Sequence, residues 1–206
     1  MLSCCAAPVD IGNRHALLTS SFFWNQVKAE NVLMFDTTTV LCASSPHSIS
    51  EFASKFDYVG APWKWAVRSV DAARDTEFTR GGNGMLSFRR KSTMLKVTAA
   101  FNRTDMNEDM WFVRHLGKIG ARLSDAETGV RFAVEELPYE RPFGVSYGMR
   151  TVPKAERAKI LKQCPEARVL VGYLPGASWV IDHMDGTPNG CEGLGAQTTP
   201  PCPEDG

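Results

Sequence analysis

The run Gly81-Gly82-Asn83-Gly84-Met85-Leu86-Ser87-Phe88-Arg89-Arg90 is followed, one helix later, by Asn107-Glu108-Asp109-Met110-Trp111-Phe112. Glycines without a Cβ let the backbone approach a ligand closely. The carboxylates of Glu108 and Asp109 can take or give a proton. Together these are the parts of a sugar-transferring site, a close-packed floor with an acid/base at its edge. The plain alternative is a tight turn followed by a helix whose dipole favours negative charge in its first turn.

A second carboxylate stands apart. Asn31-Val32-Leu33-Met34-Phe35-Asp36 reads as a buried strand with a polar residue emerging at its carboxyl end. Ligands of open α/β sheets gather at such ends, which places Asp36 for function, although an Asp bonded to turn amides fits the same pattern. Trp63 and Trp65 are of a type that stacks on a sugar ring or packs in a core. Other chemistries find no support. The histidines at 15, 47, 115 and 183 form no metal-ligand pairing, and no nucleophile elbow, Walker loop or dinucleotide fingerprint is present.

The elements that must position these groups follow from periodicity. Residues 14–30 predict one amphipathic helix, with Leu17, Leu18, Phe22, Phe23 and Val27 near helical spacing. Ile49 to Phe56 predicts a short helix and Asp57 to Trp63 a strand entering an aromatic loop. Residues 66–79 suit an exposed loop. Met85 to Phe88 predicts a buried strand, Lys91 to Phe101 a helix, and Asp105 to Leu116 a second helix. Arg131 to Glu135 is strand-like, Pro142 to Val145 an apolar turn or short strand, and Pro153 to Cys164 a helix. Residues 1–12 read as a disordered leader, and the Gly/Pro-rich residues 171–206 as a tail without a fixed fold.

Composition bounds the rest. The 206 residues suffice for one domain with a substantial core. Lysine plus arginine and aspartate plus glutamate each number 23, so no global field draws the chain to nucleic acid or an anionic membrane. No run approaches the roughly 20 apolar residues that cross a bilayer, and the amino-terminal residues lack the pattern of a signal peptide. The six cysteines match no zinc spacing. Cys42, inside an apolar run, reads as a reduced, buried thiol, and Cys191 with Cys202 as a pair that an oxidising compartment could join.

Six ordered blocks then carry a resemblance: Val32 to Cys42, Asp57 to Trp63, Gly82 to Arg90, Asn107 to Phe112, Phe132 to Glu135, and Arg141 to Val145. The set resembles an uncharacterised family of microbial and fungal glycosyltransferase-like domains with the GT-A nucleotide-sugar transferase architecture. The resemblance implies an α/β fold, a mixed sheet flanked by helices, over residues 13–170. It implies transfer of a sugar from a nucleotide-sugar donor to a glycan or other hydroxyl acceptor, in a Golgi or cytoplasmic setting. Asp109 aligns with the catalytic base and Glu108 with its neighbour. Gly82, Asn83, Gly84 and Trp63 align with substrate-binding positions, and Asp36 with a carboxylate holding a divalent cation, manganese or magnesium, on the donor phosphates.

The chain departs from that pattern in three places. Thr38 stands where the family has an aspartate, and the nearest carboxylate is Asp36, about 6–7 Å along the strand on the same face. Ser146 stands where the family tends to have histidine, a poorer metal ligand when replaced by a hydroxyl. The chain ahead of Asp36 is too short for the nucleotide-gripping β-α-β portion, so it resembles the carboxyl-terminal two-thirds of such a domain. These departures open an alternative, a degenerate relative that binds carbohydrate or protein without catalysis. Both readings require Asp36, the Gly82–Gly84 bend and Asp109 to converge.

Overall fold

The computed structural model describes residues 11–68, 76–149 and 151–171. Residues 1–10 of the expected leader, the middle of the 66–79 loop, residues 172–206 of the expected tail and the Cys191–Cys202 pair lie outside the described residues, while residues 11, 12 and 171 are helical.

The chain opens with α1 (Ile11–Leu18) and α2 (Ser21–Gln26), not one helix through residue 30. Ser20 makes the break. Its backbone is extended, and its hydroxyl accepts from the Phe23 N–H at 3.3 Å, capping α2. Strand β1 (Asn31–Met34) and strand β2 (Thr39–Leu41) follow, then α3 (Ile49–Lys55), β3 (Tyr58–Ala61) and α4 (Lys64–Arg68). Next come β4 (Asn83–Arg90), α5 (Lys91–Ala100), α6 (Glu108–Lys118) and α7 (Ala126–Phe132). The expected strand over 131–135 is instead the end of α7 followed by β5 (Ala133–Val134). Asp125 caps α7 through the Thr128 N–H at 2.8 Å, and the helix runs on to Phe132. The order closes with β6 (Gly144–Ser146), α8 (Lys154–Gln163) and α9 (Arg168–Val171).

The fold is α/β, as expected, with the strands divided between two small sheets. The first has the order β1-β4-β3 and is antiparallel throughout. The second has the order β2-β6-β5, with β2 antiparallel and β5 parallel to β6. Alternation along the strands builds three apolar clusters. Tyr58 of β3 joins Trp24, Trp111, Phe112 and Leu116 on the side of α2, α5 and α6. Val59, Leu86 and Phe88 meet Phe52, Phe132 and Ala133 between the sheets. Val134 and Val145 face away from that layer and pack with Ile160, Leu161 and Leu170 of the carboxyl-terminal helices. Asp57 clasps the sheet from one end: burial pushes its carboxyl up, but hydrogen bonds from Arg122 and Arg90 outweigh this and hold it at about 2.

Cys42 is not a free thiol. It is buried and disulfide-bonded to Cys164, 122 residues away, because β2 packs against the turn Pro165–Ala167 that follows α8. Cross-linking so large a loop restricts the unfolded chain. Replacing both cysteines by serine is expected to lower stability by about 2–4 kcal/mol. Urea unfolding of the variant, and of the parent with and without dithiothreitol, measures it.

Candidate functional site

The glycine bend is built from strand geometry. Gly81 and Gly82 have φ of 85° and 118°, a backbone that side-chain-bearing residues resist. A Cβ on Gly82 would lie 2.4 Å from the Ala61 carbonyl oxygen. The Tyr58 hydroxyl donates to the Gly82 carbonyl at 2.9 Å and locks the turn. The bend carries Asn83 and Gly84 into β4, where the register against β3 shifts.

Helix α6 aims its first turn at this bend. The Gly84 N–H donates to Asp109 Oδ2 at 3.1 Å, and the Met110 N–H to Oδ1 at 2.8 Å. Burial pushes the Asp109 carboxyl up, and the neighbouring charge of Glu108 adds to it; the two amides and Arg89 act against this without cancelling it. The expected neighbour Glu108 has a different place. It is buried, with both carboxylate oxygens taken by Arg89, Oε2 from Nη1 at 2.7 Å and Oε1 from Nη2 at 2.9 Å. Arg89 lies over the rings of Tyr58 and Phe112 and donates from Nε to Ser87. Glu108 thus anchors α6 to β4 and holds Asp109 against the bend. The Glu108 N–H is met by His15 Nδ1 of α1 at 3.2 Å, satisfying an amide that the helix itself leaves open.

Asn83 extends the arrangement to the second sheet. Its Oδ1 accepts from the Met85 N–H at 2.8 Å, and its Nδ2 donates to Glu135 Oε1 at 3.2 Å. Glu135 directly follows β5, and its Oε2 is buried without a partner. Burial pushes this carboxyl up to about 8, and the charges of Glu136, Asp109 and Asp36 push the same way. The charges of Asp109 and, least, of Asp36 thus bear on one carboxyl that is bonded to Asn83.

The sequence reading did not single out Glu135. It ends the apolar run Phe132-Ala133-Val134, the same strand-end signal that singled out Asp36. Trp63, expected to touch substrate, is 7% exposed and packs in the core with Phe78, whereas Trp65 is 43% exposed. The Lys64 N–H between them donates to Glu136 Oε2 at 2.8 Å, tying this loop to the carboxylates.

Asp36 heads a turn. Its Oδ1 accepts from the Thr38 N–H at 2.8 Å, the Thr38 hydroxyl at 2.6 Å and the Thr39 hydroxyl at 3.3 Å. That oxygen is taken by these donors, and among the described residues no group of three His, Cys, Asp or Glu side chains is arranged to hold a metal. No step below is routed through a metal.

The high Glu135 value has a measurable sign. The folded state keeps this proton up to about pH 8, while the unfolded chain releases it near 4.5. The native state then binds the extra proton between those values, and stability falls as pH rises across that window, by at most ~1.4 kcal/mol per unit. Glu135→Gln is expected to flatten the slope, read by urea unfolding at pH 5, 6, 7 and 8.

A family profile described as Protein of unknown function (DUF5672) matches residues 9–146. The matched span takes in every residue of the site, ends at Ser146, and leaves α8 with Cys164 beyond it. No curated protein and no solved structure matches the chain.

Proposed function

We propose, from the premise that the chain belongs to the DUF5672 family of proteins of unknown function, that it is a GT-A-like glycosyltransferase. In this reading it moves a sugar from a nucleotide-sugar donor to a hydroxyl acceptor. The observation that carries the reading is the Asp109 carboxylate, held on the Gly84 N–H with its pKa raised and facing the Asn83–Glu135 pair. The acceptor oxygen attacks the anomeric carbon of the donor as the bond to the diphosphate oxygen breaks. The acceptor proton passes to Asp109, and the electron pair of the broken bond leaves with the diphosphate. A carboxylate raised toward neutrality is a better proton acceptor for this step than an ordinary surface aspartate.

One observation favours a second reading, a carbohydrate-binding relative without catalysis. Asp36, Asp109 and Glu136 bear on the protonated Glu135 as negative charges, and Arg89, the guanidinium that acts on Asp109, is already paired with Glu108. Nothing positive among these groups offsets a departing diphosphate. Calorimetric titration of the purified chain with a panel of nucleotide-sugars, with manganese and with chelator, separates the two. Donor binding followed by release of free nucleotide supports the transferase; binding of sugars but of no nucleotide-sugar supports the binding module.

A further inference from the structure

The bridge between Cys42 and Cys164 bears on where this chain folds. Their Cα atoms lie 4.9 Å apart, within the span that a bridge needs. Cys164 is fully buried and Cys42 nearly so, and both sit in the carboxyl-terminal cluster with Val134, Val145, Ile160 and Leu161. Disulfides of reducing compartments are mostly transient, catalytic or redox-sensing, and those tasks need a sulfur that a second thiol can reach. A bridge enclosed in a core is of the other kind, a structural one made where the surroundings are oxidising. It forms as the two thiols pass two electrons and two protons to a disulfide-bearing oxidant of that compartment.

A second, independent feature belongs to the same setting. Asn102-Arg103-Thr104 is the one Asn-x-Ser/Thr triplet in the sequence, and its middle residue is not proline. A triplet of this kind arises readily by chance, so its place in the fold decides what it can do. All three residues are exposed and lie outside helix and strand, in the connection between α5 and α6. The backbone there is held from both sides. The Phe101 N–H donates to the Val97 carbonyl at 3.0 Å, and the Trp111 indole N–H donates to the Asn102 carbonyl at 3.2 Å. The bond that fixes Asn102 is made by its carbonyl, so a bulky group on its side-chain nitrogen disturbs neither this bond nor the core beneath.

We propose that Asn102 is an N-glycosylation site, occupied in the oxidising secretory lumen where Cys42 and Cys164 become joined. The co-reactant is an oligosaccharide carried on a lipid diphosphate, brought by its transferring enzyme. The Asn102 side-chain nitrogen attacks the anomeric carbon of the first sugar, and a carbon–nitrogen bond forms. The bond from that carbon to the diphosphate oxygen breaks, and its electron pair leaves with the lipid diphosphate. The amide nitrogen gives one proton to a base of the enzyme. Thr104 supplies the hydroxyl, two residues on, by which such a triplet is recognised. Here the chain accepts a glycan, whatever its own site does to sugars. The amino-terminal residues, which lack a signal-peptide pattern, point to the opposite outcome, a cytosolic chain with two thiols and a bare asparagine. The bridge outweighs that pattern because it is a property of the folded core, not of a short leading segment.

The test uses the full-length protein isolated from the cells that make it, with free thiols blocked by N-ethylmaleimide at lysis. Intact mass and tryptic peptides are read before and after treatment with peptide-N-glycosidase F. The peptide spanning Val97 to Arg103 is expected to carry a glycan linked through hexosamine, and its enzymatic release to convert the asparagine to aspartate. Cys42 and Cys164 are expected to be free of the blocking group and recovered as one cross-linked pair of peptides. Asn102→Gln is expected to lose the whole glycan mass. Thr104→Ala is expected to lose it too, although the asparagine remains, and Thr104→Ser to keep it. These side chains are exposed, so the melting temperatures of Asn102→Gln and of the deglycosylated parent are expected to coincide.

A bare Asn102 in the mature protein overturns the inference, whether or not the bridge is present. N-ethylmaleimide found on both Cys42 and Cys164 overturns it too, since the chain then folds in a reducing compartment. A glycan that persists in Thr104→Ala does the same, because its attachment would not depend on the triplet.

Discussion

Asp109→Asn is expected to lower sugar transfer by about 10²- to 10⁴-fold, the range of a lost general base. The amide keeps the shape of the carboxylate and loses the ability to take a proton. It also keeps only one acceptor oxygen for two amide donors, the Gly84 and Met110 N–H groups. One of those donors then faces an NH₂ group, so stability falls by about 1–3 kcal/mol while the fold is retained. Binding of the donor should change far less than turnover, because the carboxylate acts on the acceptor proton. Nucleotide release and calorimetric titration, on parent and variant side by side, supply both numbers. Transfer within threefold of the parent would remove Asp109 from the role, and Glu135→Gln would become the next variant to assay.

Arg89→Met is expected to destabilise the protein by about 3–5 kcal/mol. The physical cause is the partner left behind. Glu108 is 3% exposed, and without the guanidinium its carboxylate has no compensating charge in an interior formed by Tyr58, Phe112 and Trp111. Burial works against the charge on Arg89 as well, but the Glu108 carboxylate more than offsets it, and Arg89 stays firmly protonated. The pair is therefore coupled, and each member is harmful alone. Replacing both, Arg89→Met with Glu108→Leu, is expected to recover most of the loss, since apolar side chains of similar size replace a buried ion pair at little net change. A double-mutant cycle on urea midpoints reads the coupling. Additive losses in the cycle would show that the two side chains contribute independently. The double variant should still lose transfer, because α6 would no longer be held against β4 by this bond, and Asp109 sits one residue along.

How much was legible beforehand differs by element. The helices over 49–55, 91–100 and 154–163 lie close to their expected bounds, because each carries its own helical spacing and the last is also bracketed by Pro153 and Pro165. The stretch 14–30 misled because Ser20 and Thr19 are small polar residues within an apolar periodicity. Whether Ser20 continues a helix or caps the next depends on what α2 packs against, here Thr98 and its neighbours on α5. The β5 segment misled because a two-residue strand has too little sequence of its own to outweigh the helix before it. Its partner β6 lies eleven residues on, and pairing with it, not local preference, makes it a strand.

The site divides along the same line. Residue type and spacing alone established that the chain holds a glycine bend, a carboxylate at a strand end and a carboxylate pair at a helix start. Those follow from local rules about φ, strand ends and helix dipoles, which act over a few residues. Which member of the pair faces the bend, and which is bound to a buried arginine, was decided by the tertiary structure. Glu108 and Asp109 are adjacent in sequence and differ only in the direction each leaves the helix. The same holds for Cys42, whose sulfur meets that of Cys164 only because β2 packs against the turn that follows α8. It holds for Ala133 and Val134, which become neighbours of Gly144 and Val145 through parallel strand register. Hydrogen bonds, ion pairs and disulfides act over a few ångströms whatever the separation along the chain. Packing brings the partners within reach, and pattern along the sequence carries no record of it.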